Sequence, residues 1–114
     1  MIDSYKFGKM VINDNEYTSD LLLCNSEVKD NWWRKKGHSL CKEDLAWILN
    51  HKPDLLIIGT GKRGAMEVPE KLQEELKKLG IEVVVEITDD AVEIFNRRDN
   101  VEGKKVAAGF HLTC

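Results

Sequence analysis

The chain has 114 residues, room for one domain around one hydrophobic core. With 42% hydrophobic and 32% charged residues it reads as globular rather than disordered, and a net charge of −3 gives no global electrostatic reason to bind nucleic acid or an anionic membrane. No apolar run approaches the roughly 20 residues of a membrane span, residues 1–12 carry Asp3, Lys6 and Lys9 where a signal peptide would be apolar, and three cysteines without a CxxC (Cys24, Cys41, Cys114) suit a reducing cytoplasm.

In chain order, the alternation from Tyr5 to Ile12 predicts a strand with Tyr5, Phe7 and Val11 on one face and Gly8, Met10 and Ile12 on the other. Asn13-Asp14-Asn15 predicts a turn, returning a second short strand around Glu16–Thr18 as a hairpin. Asp20–Cys24 is a short apolar run. Val28–Trp33 alternates again, with Val28, Asp30 and Trp32 on one face. Adjacent strand residues point opposite ways, so Trp32 and Trp33 cannot enter one core. One indole is expected at a groove, at an interface or under the Gly37-His38 loop.

A helical period starts near Cys41, continues through Leu45, Ile48 and Leu49, and stops at His51-Lys52-Pro53. Leu55–Ile58, ended by Gly59, reads as a strand covered on both faces. Pro69 opens a helix with a Leu72, Leu76, Leu79 stripe, and Gly80 ends it. Ile81–Ile87 is the next strand. Thr88 is then expected as the N-cap of a helix with Asp89 and Asp90 in its first turn and Arg97 and Arg98 in its last. Val106–Leu112 closes the chain as a strand. The expectation is a single α/β domain over 1–114, with antiparallel N-terminal strands attached to a small βαβαβ unit, parallel strands and mixed sheets.

Three groups of residues carry candidate chemistry. Gly59-Thr60-Gly61-Lys62-Arg63-Gly64 matches G-x-G-x-x-G after a strand, with Glu86 at the end of the next strand. The helix start at Pro69 comes too late for a dinucleotide fingerprint, and Ala65-Met66 stand where a P-loop needs Lys-Ser/Thr. Two readings stay open: a tight turn with solvated Lys62 and Arg63, or a cradle for an anionic small molecule built from Gly59, Thr60, Gly61, Lys62 and Arg63 with Asn96 nearby. The HxxC pairs His38/Cys41 and His111/Cys114 carry zinc donor types, but strand residues three apart face opposite ways, and no metal or cofactor is expected. Cys41 continues an apolar stripe and reads as a structural thiol before a nucleophile. Trp32-Trp33-Arg34-Lys35-Lys36 would suit stacking on single-stranded nucleic acid, yet the stretch is short and the protein net acidic. No paired carboxylates stand out as acid and base, which weakens the case for hydrolysis and leaves catalysis open.

Together, Gly59-Thr60-Gly61, Gly80-Ile81-Glu82-Val83, Phe95-Asn96 and Glu102-Gly103-Lys104-Lys105-Val106-Ala107-Ala108 resemble the Mth-domain family of unknown function, and Trp33-Arg34 and Gly37-His38 resemble its mid-chain motif. The likeness covers nearly all of residues 5–114, with Phe95 in place of a tyrosine. The resemblance implies a compact α/β fold without established catalysis, in a family whose characterised members act through protein partners in assembly or regulation. The leading expectation is therefore a non-enzymatic cytoplasmic interaction module that meets another protein through Trp33, Arg34 and His38, without nucleic acid or membrane. The alternative is a binder of, or an enzyme acting on, an anionic small molecule at Gly59–Gly64.

Overall fold

Hairpins begin the chain, and each turns on residues that accept a left-handed backbone. In the computed structural model, which describes residues 1–99 and 103–114, β1 (Ile2–Lys6) pairs with β2 (Lys9–Ile12) across Phe7-Gly8, with Gly8 at φ +77°. β2 pairs with β3 (Asn15–Tyr17) across Asn13-Asp14, whose φ values of 48° and 69° are those a type I′ turn requires. The single strand expected over Tyr5–Ile12 is thus two strands. Its alternation runs unbroken through the turn, and only Gly8 marks the reversal.

β4 (Leu21–Cys24) and β5 (Glu27–Lys29) form a third hairpin on Asn25-Ser26, again both left-handed. β5 ends at Lys29 rather than at Trp33, and Asn31, at φ 52°, redirects the chain. Trp32 nevertheless points inward and Trp33 outward. A short 3₁₀ turn, Lys42–Leu45, leads into α1 (Ala46–His51), which Lys52 terminates in the left-handed region before Pro53.

The remainder is the expected βαβαβ unit: β6 (Leu55–Gly59), α2 (Glu70–Lys78), β7 (Glu82–Glu86), α3 (Thr88–Arg98) and β8 (Val106–Phe110). β6 runs parallel to both β7 and β8, while β8 runs antiparallel to β4. The result is a five-stranded mixed sheet in the order β5-β4-β8-β6-β7 beside the three-stranded antiparallel sheet β1-β2-β3.

Period-two alternation sorts the five-stranded sheet onto two cores. Leu21, Leu23, Leu55, Ile57, Val106, Ala108 and Phe110 join Ile2, Met10, Ile12, Ala91 and Phe95, beneath the small sheet and α3. Leu22, Cys24, Leu56, Ile58 and Ala107 face the other way, onto Trp32, Leu45, Ile48, Leu72 and Leu76. Burying one such leucine or isoleucine contributes roughly 1.5–3 kcal/mol. Leu79, expected in the α2 stripe, is 56% exposed, because the helix ends at Lys78 and Ile81 fills the position beyond it. Small residues in β8 have a purpose: a Cβ on Gly109 would meet Leu22 Cδ2 at 3.0 Å and the Trp32 ring at 3.1 Å. Gly109 thereby lets Trp32 reach the sheet, and that anchors the loop carrying Trp33.

Candidate functional site: the Trp33 groove and the Gly59–Gly64 loop

The segment His111–Cys114 joins the two regions that carry the candidate residues. Its backbone closes the glycine loop. The His111 N–H donates to the Gly59 carbonyl at 2.9 Å, the Thr113 carbonyl accepts from Lys62 N–H at 2.6 Å, and the Cys114 carbonyl accepts from the N–H groups of Arg63 (3.1 Å) and Ala65 (3.0 Å). Gly61 takes φ +110°, and a Cβ there would clash with the Cys114 backbone and lie 2.8 Å from His111 Cδ2. The glycine is required for close approach, and what approaches is the chain itself.

The other loop groups are also engaged. Thr60 is buried and bonds through both its N–H and its hydroxyl to the Glu86 carbonyl. The Gly61 N–H donates to Thr88 Oγ1 at 2.8 Å, and that hydroxyl donates onward to the His111 carbonyl at 2.7 Å. Thr88 therefore does not cap its helix, as its position suggests. Fully buried, it staples the loop to the end of β8, while Ile87 occupies the N-cap. Lys62 pairs with Asp89 at 3.0 Å and lies 5.3 Å from the Tyr5 ring centroid, and Arg63 is exposed. Asn96 is not brought to this loop. Its carboxamide clamps the backbone of Ile2, accepting from the N–H and donating to the carbonyl, both at 2.9 Å. Glu102, a residue of the family-like motif, lies outside the described residues.

The side chain of His111 enters the second region. Its Nδ1 lies 2.8 Å from Asp20 Oδ2, and Asp20 Oδ1 accepts the Leu112 N–H at 2.7 Å. Arg34 donates from Nη2 to Asp20 Oδ2 at 2.8 Å, and from Nε and Nη2 to the Gly37 carbonyl at 3.2 and 3.0 Å. The Asp20 contact assigns the hydrogen of neutral His111 to Nδ1. Nε2 is then left buried without a hydrogen-bond partner among the described residues, as is Arg34 Nη1. The side chains of Arg34 and His111 are only 5% and 6% exposed. The exposed His38 ring stands edge-on to His111 at 5.5 Å between centroids.

Around this network lies a surface groove of about 440 Å³ lined by Ser19, Asp20, Asn31, Trp32, Trp33, Arg34 and Gly37. Trp32 forms its floor, with the indole N–H donating to the Asp44 carbonyl at 2.8 Å and the Arg34 Cζ 4.8 Å from its ring centroid. Trp33 is 86% exposed. Arg34 is thus tied to Asp20, His38 stands against His111, and Trp33 lines the groove beside Arg34 and Asp20.

Burial pushes the Asp20 carboxyl up, but hydrogen bonds from His111, the Leu112 amide and Arg34 outweigh it and hold the group below its ordinary value. Tyr5, whose hydroxyl donates to the Leu112 carbonyl at 2.8 Å, is pushed up to about 12, mainly by burial and then by Asp89 and Asp20. Cys41, whose thiol donates to Asp44 Oδ2 at 3.2 Å, has its pKa raised by burial and by that carboxylate, which disfavours the thiolate a nucleophile needs. No group of three or more metal-binding side chains comes together among the described residues, so the two HxxC pairs form no four-donor cluster although the His38 and His111 rings lie side by side.

Sequence reasoning did not single out Asp20, and it read His111 only as a zinc donor type paired with Cys114. The available signal was a titratable residue against an apolar run, Asp20 before Leu21–Cys24 and His111 after Ala107–Phe110, because such a residue needs a buried partner.

Comparison with known proteins agrees with this fold. The family model described as Protein of unknown function (DUF498/DUF598) matches residues 2–111. Among solved structures, the conserved hypothetical protein PH1505 from Pyrococcus horikoshii is 24% identical, with a TM-score of 0.82 over 100% of this chain and 99% of that one. The protein MT938 is 27% identical, with a TM-score of 0.79 over 100% and 98%. A Mth938-like domain from Bordetella pertussis shares the fold at 15% identity and a TM-score of 0.70 over 98% and 85%. The chain belongs to the DUF498/DUF598 family of Mth938-like domains of unknown function.

Proposed function

We propose that this domain is a non-enzymatic protein-interaction module, working in the cytoplasm in an assembly or regulatory role, with the groove around Trp33 as its docking face. The observation that carries the reading is the contrast between adjacent indoles: Trp32 is 6% exposed and Trp33 is 86% exposed. An exposed tryptophan held on a rigid anchor presents a large apolar surface at low cost in conformational entropy, as interface hot spots do. The competing reading, an anion at Gly59–Gly64, requires a ligand to displace residues 113–114 from the amides of Lys62, Arg63 and Ala65. Affinity capture from the source cell with the wild-type chain and with Trp33→Ala, both checked for equal melting temperature, tests the proposal. A stoichiometric partner retained by wild type and lost by the variant is expected. Identical capture by both chains contradicts it.

A further inference from the structure

We propose that the outer edge of β7 is a second docking surface, which takes an extended basic segment of another protein as a sixth strand of the five-stranded sheet. The inference goes beyond the reading above, because the Trp33 loop follows β5, at the opposite edge of that sheet. It begins with the strand edges that the two sheets leave. β3 and β5 are three residues long. β1 has an irregular register between Ile2 and Ser4, and Asn96 occupies both backbone groups of Ile2. Short or irregular edges are how proteins prevent stray strand pairing. β7 has neither device. Five residues long and without proline, it pairs with β6 residue for residue, from Glu82 opposite Leu55 to Glu86 opposite Gly59.

The ladder fixes which backbone groups point outward. The Glu82 N–H donates to the Asp54 carbonyl, and the Glu86 carbonyl accepts from the Thr60 N–H, so Glu82, Val84 and Glu86 turn their backbone groups to β6. Val83 and Val85 therefore turn theirs away from the sheet, and no described residue meets them. All three valines are half-buried and Ile87, just beyond, is 37% exposed, so the edge offers apolar surface beside free donors and acceptors. Charge selects the occupant. Glu82 and Glu86 are exposed, and alternation puts both on the face of Val84. Among the described residues only Glu82 has a counter-ion, Arg98 at 3.4 Å. A second copy pairing all five residues antiparallel would set each Glu82 against the other copy's Glu86, and like charges directly opposite destabilise a sheet. A strand with Lys or Arg at its first and fifth positions and an apolar residue at its third meets both carboxylates and Val84. Its backbone joins Val83 and Val85, as in other cases of strand addition to an open edge.

Panning a phage-displayed library of random linear peptides against wild type tests this, with excess soluble Glu82→Gln/Glu86→Gln chain present to remove peptides that bind elsewhere. The selected peptides should carry the basic, apolar, basic pattern at alternate positions. Their affinity should fall about tenfold or more in Val85→Pro, which deletes an outward donor and no bond to β6, and should not change in Trp33→Ala. Should Val85→Pro fail to fold, hydrogen exchange of the wild-type chain supplies the answer. In the free domain the Val83 and Val85 amides should exchange faster than those of Glu82, Val84 and Glu86, and bound peptide should slow them. A selection without that pattern, unchanged affinity in Val85→Pro, or no new protection at those two amides would overturn the proposal and leave the Trp33 reading standing. A concentration-dependent dimer of the free domain that Val85→Pro dissolves would overturn the choice of occupant and assign the edge to a second copy of this chain.

Discussion

The Gly59–Gly64 loop and the Trp33 groove share the His111–Cys114 segment and differ in what they leave unsatisfied. The loop has the stronger motif, yet its amides are bound to the carbonyls of residues 113–114 and to Thr88, and its Lys62 is paired with Asp89. The groove carries Trp33-Arg34 and Gly37 of the family-like mid-chain motif, and it holds an indole 86% exposed beside a buried guanidinium nitrogen without a partner among the described residues. A glycine pattern reports only that some backbone comes close. The molecule's own accounting of donors and acceptors tells a closed turn from a receptive surface.

The largest effect is expected at the joint of the two regions. Asp20→Ala removes the partner of Arg34, His111 and the Leu112 amide at once, and should cost about 3–5 kcal/mol in urea unfolding, as breaking a buried pair does. The pH dependence has a definite sign. The folded-state pKa of Asp20 lies below its unfolded value, so its contribution is complete above the unfolded pKa and is lost as pH falls through the folded one. Asp20→Asn should accordingly flatten the acid limb of the stability profile, and an unchanged limb would show that the pairing contributes little.

Thr88→Val comes next. It keeps the volume but strands the Gly61 N–H and the His111 carbonyl, for an expected loss of about 2–4 kcal/mol. Thr88→Ser should restore most of it, and a loss below about 0.5 kcal/mol in Thr88→Val would mean that the loop is not stapled as described. The smallest effects are expected for Trp33→Ala and Arg63→Ala. Both side chains are exposed, and both variants should stay within about 0.5 kcal/mol of wild type by thermal melt. A large loss in Trp33→Ala would make that indole a packing residue and remove it from the docking face.

The βαβαβ half of the fold was legible because its strands are covered on both faces and its helices carry punctuation: Leu55–Ile58, Pro69, Gly80 and the valines of β7 all read locally. That one of Trp32 and Trp33 faces outward matches the expectation, but not its reason: both lie beyond β5, Val28 packs in the opposite core from Trp32, and which indole is exposed depends on Gly109 in a strand far along the chain. The Phe7-Gly8 turn was hidden because residue alternation continues through it. Leu79 and Thr88 misled for a common reason: local periodicity and capping preference say nothing about where a helix stops or which distant group competes for a hydroxyl. The Asp20–Arg34–His111 network was invisible because only the pairing of β4 with β8 brings its members together.

Hydrogen–deuterium exchange of the domain, alone and bound to a Trp33-dependent peptide or captured partner, tests the central claim most directly. In the free protein the amides of Lys62, Arg63 and Ala65 should already be protected by residues 113–114. Binding should then add protection over residues 19–20 and 31–37 and leave 59–65 unchanged. New protection confined to 59–65, or fast exchange of those three amides in the free domain, would contradict the account and make the glycine loop the receptive surface.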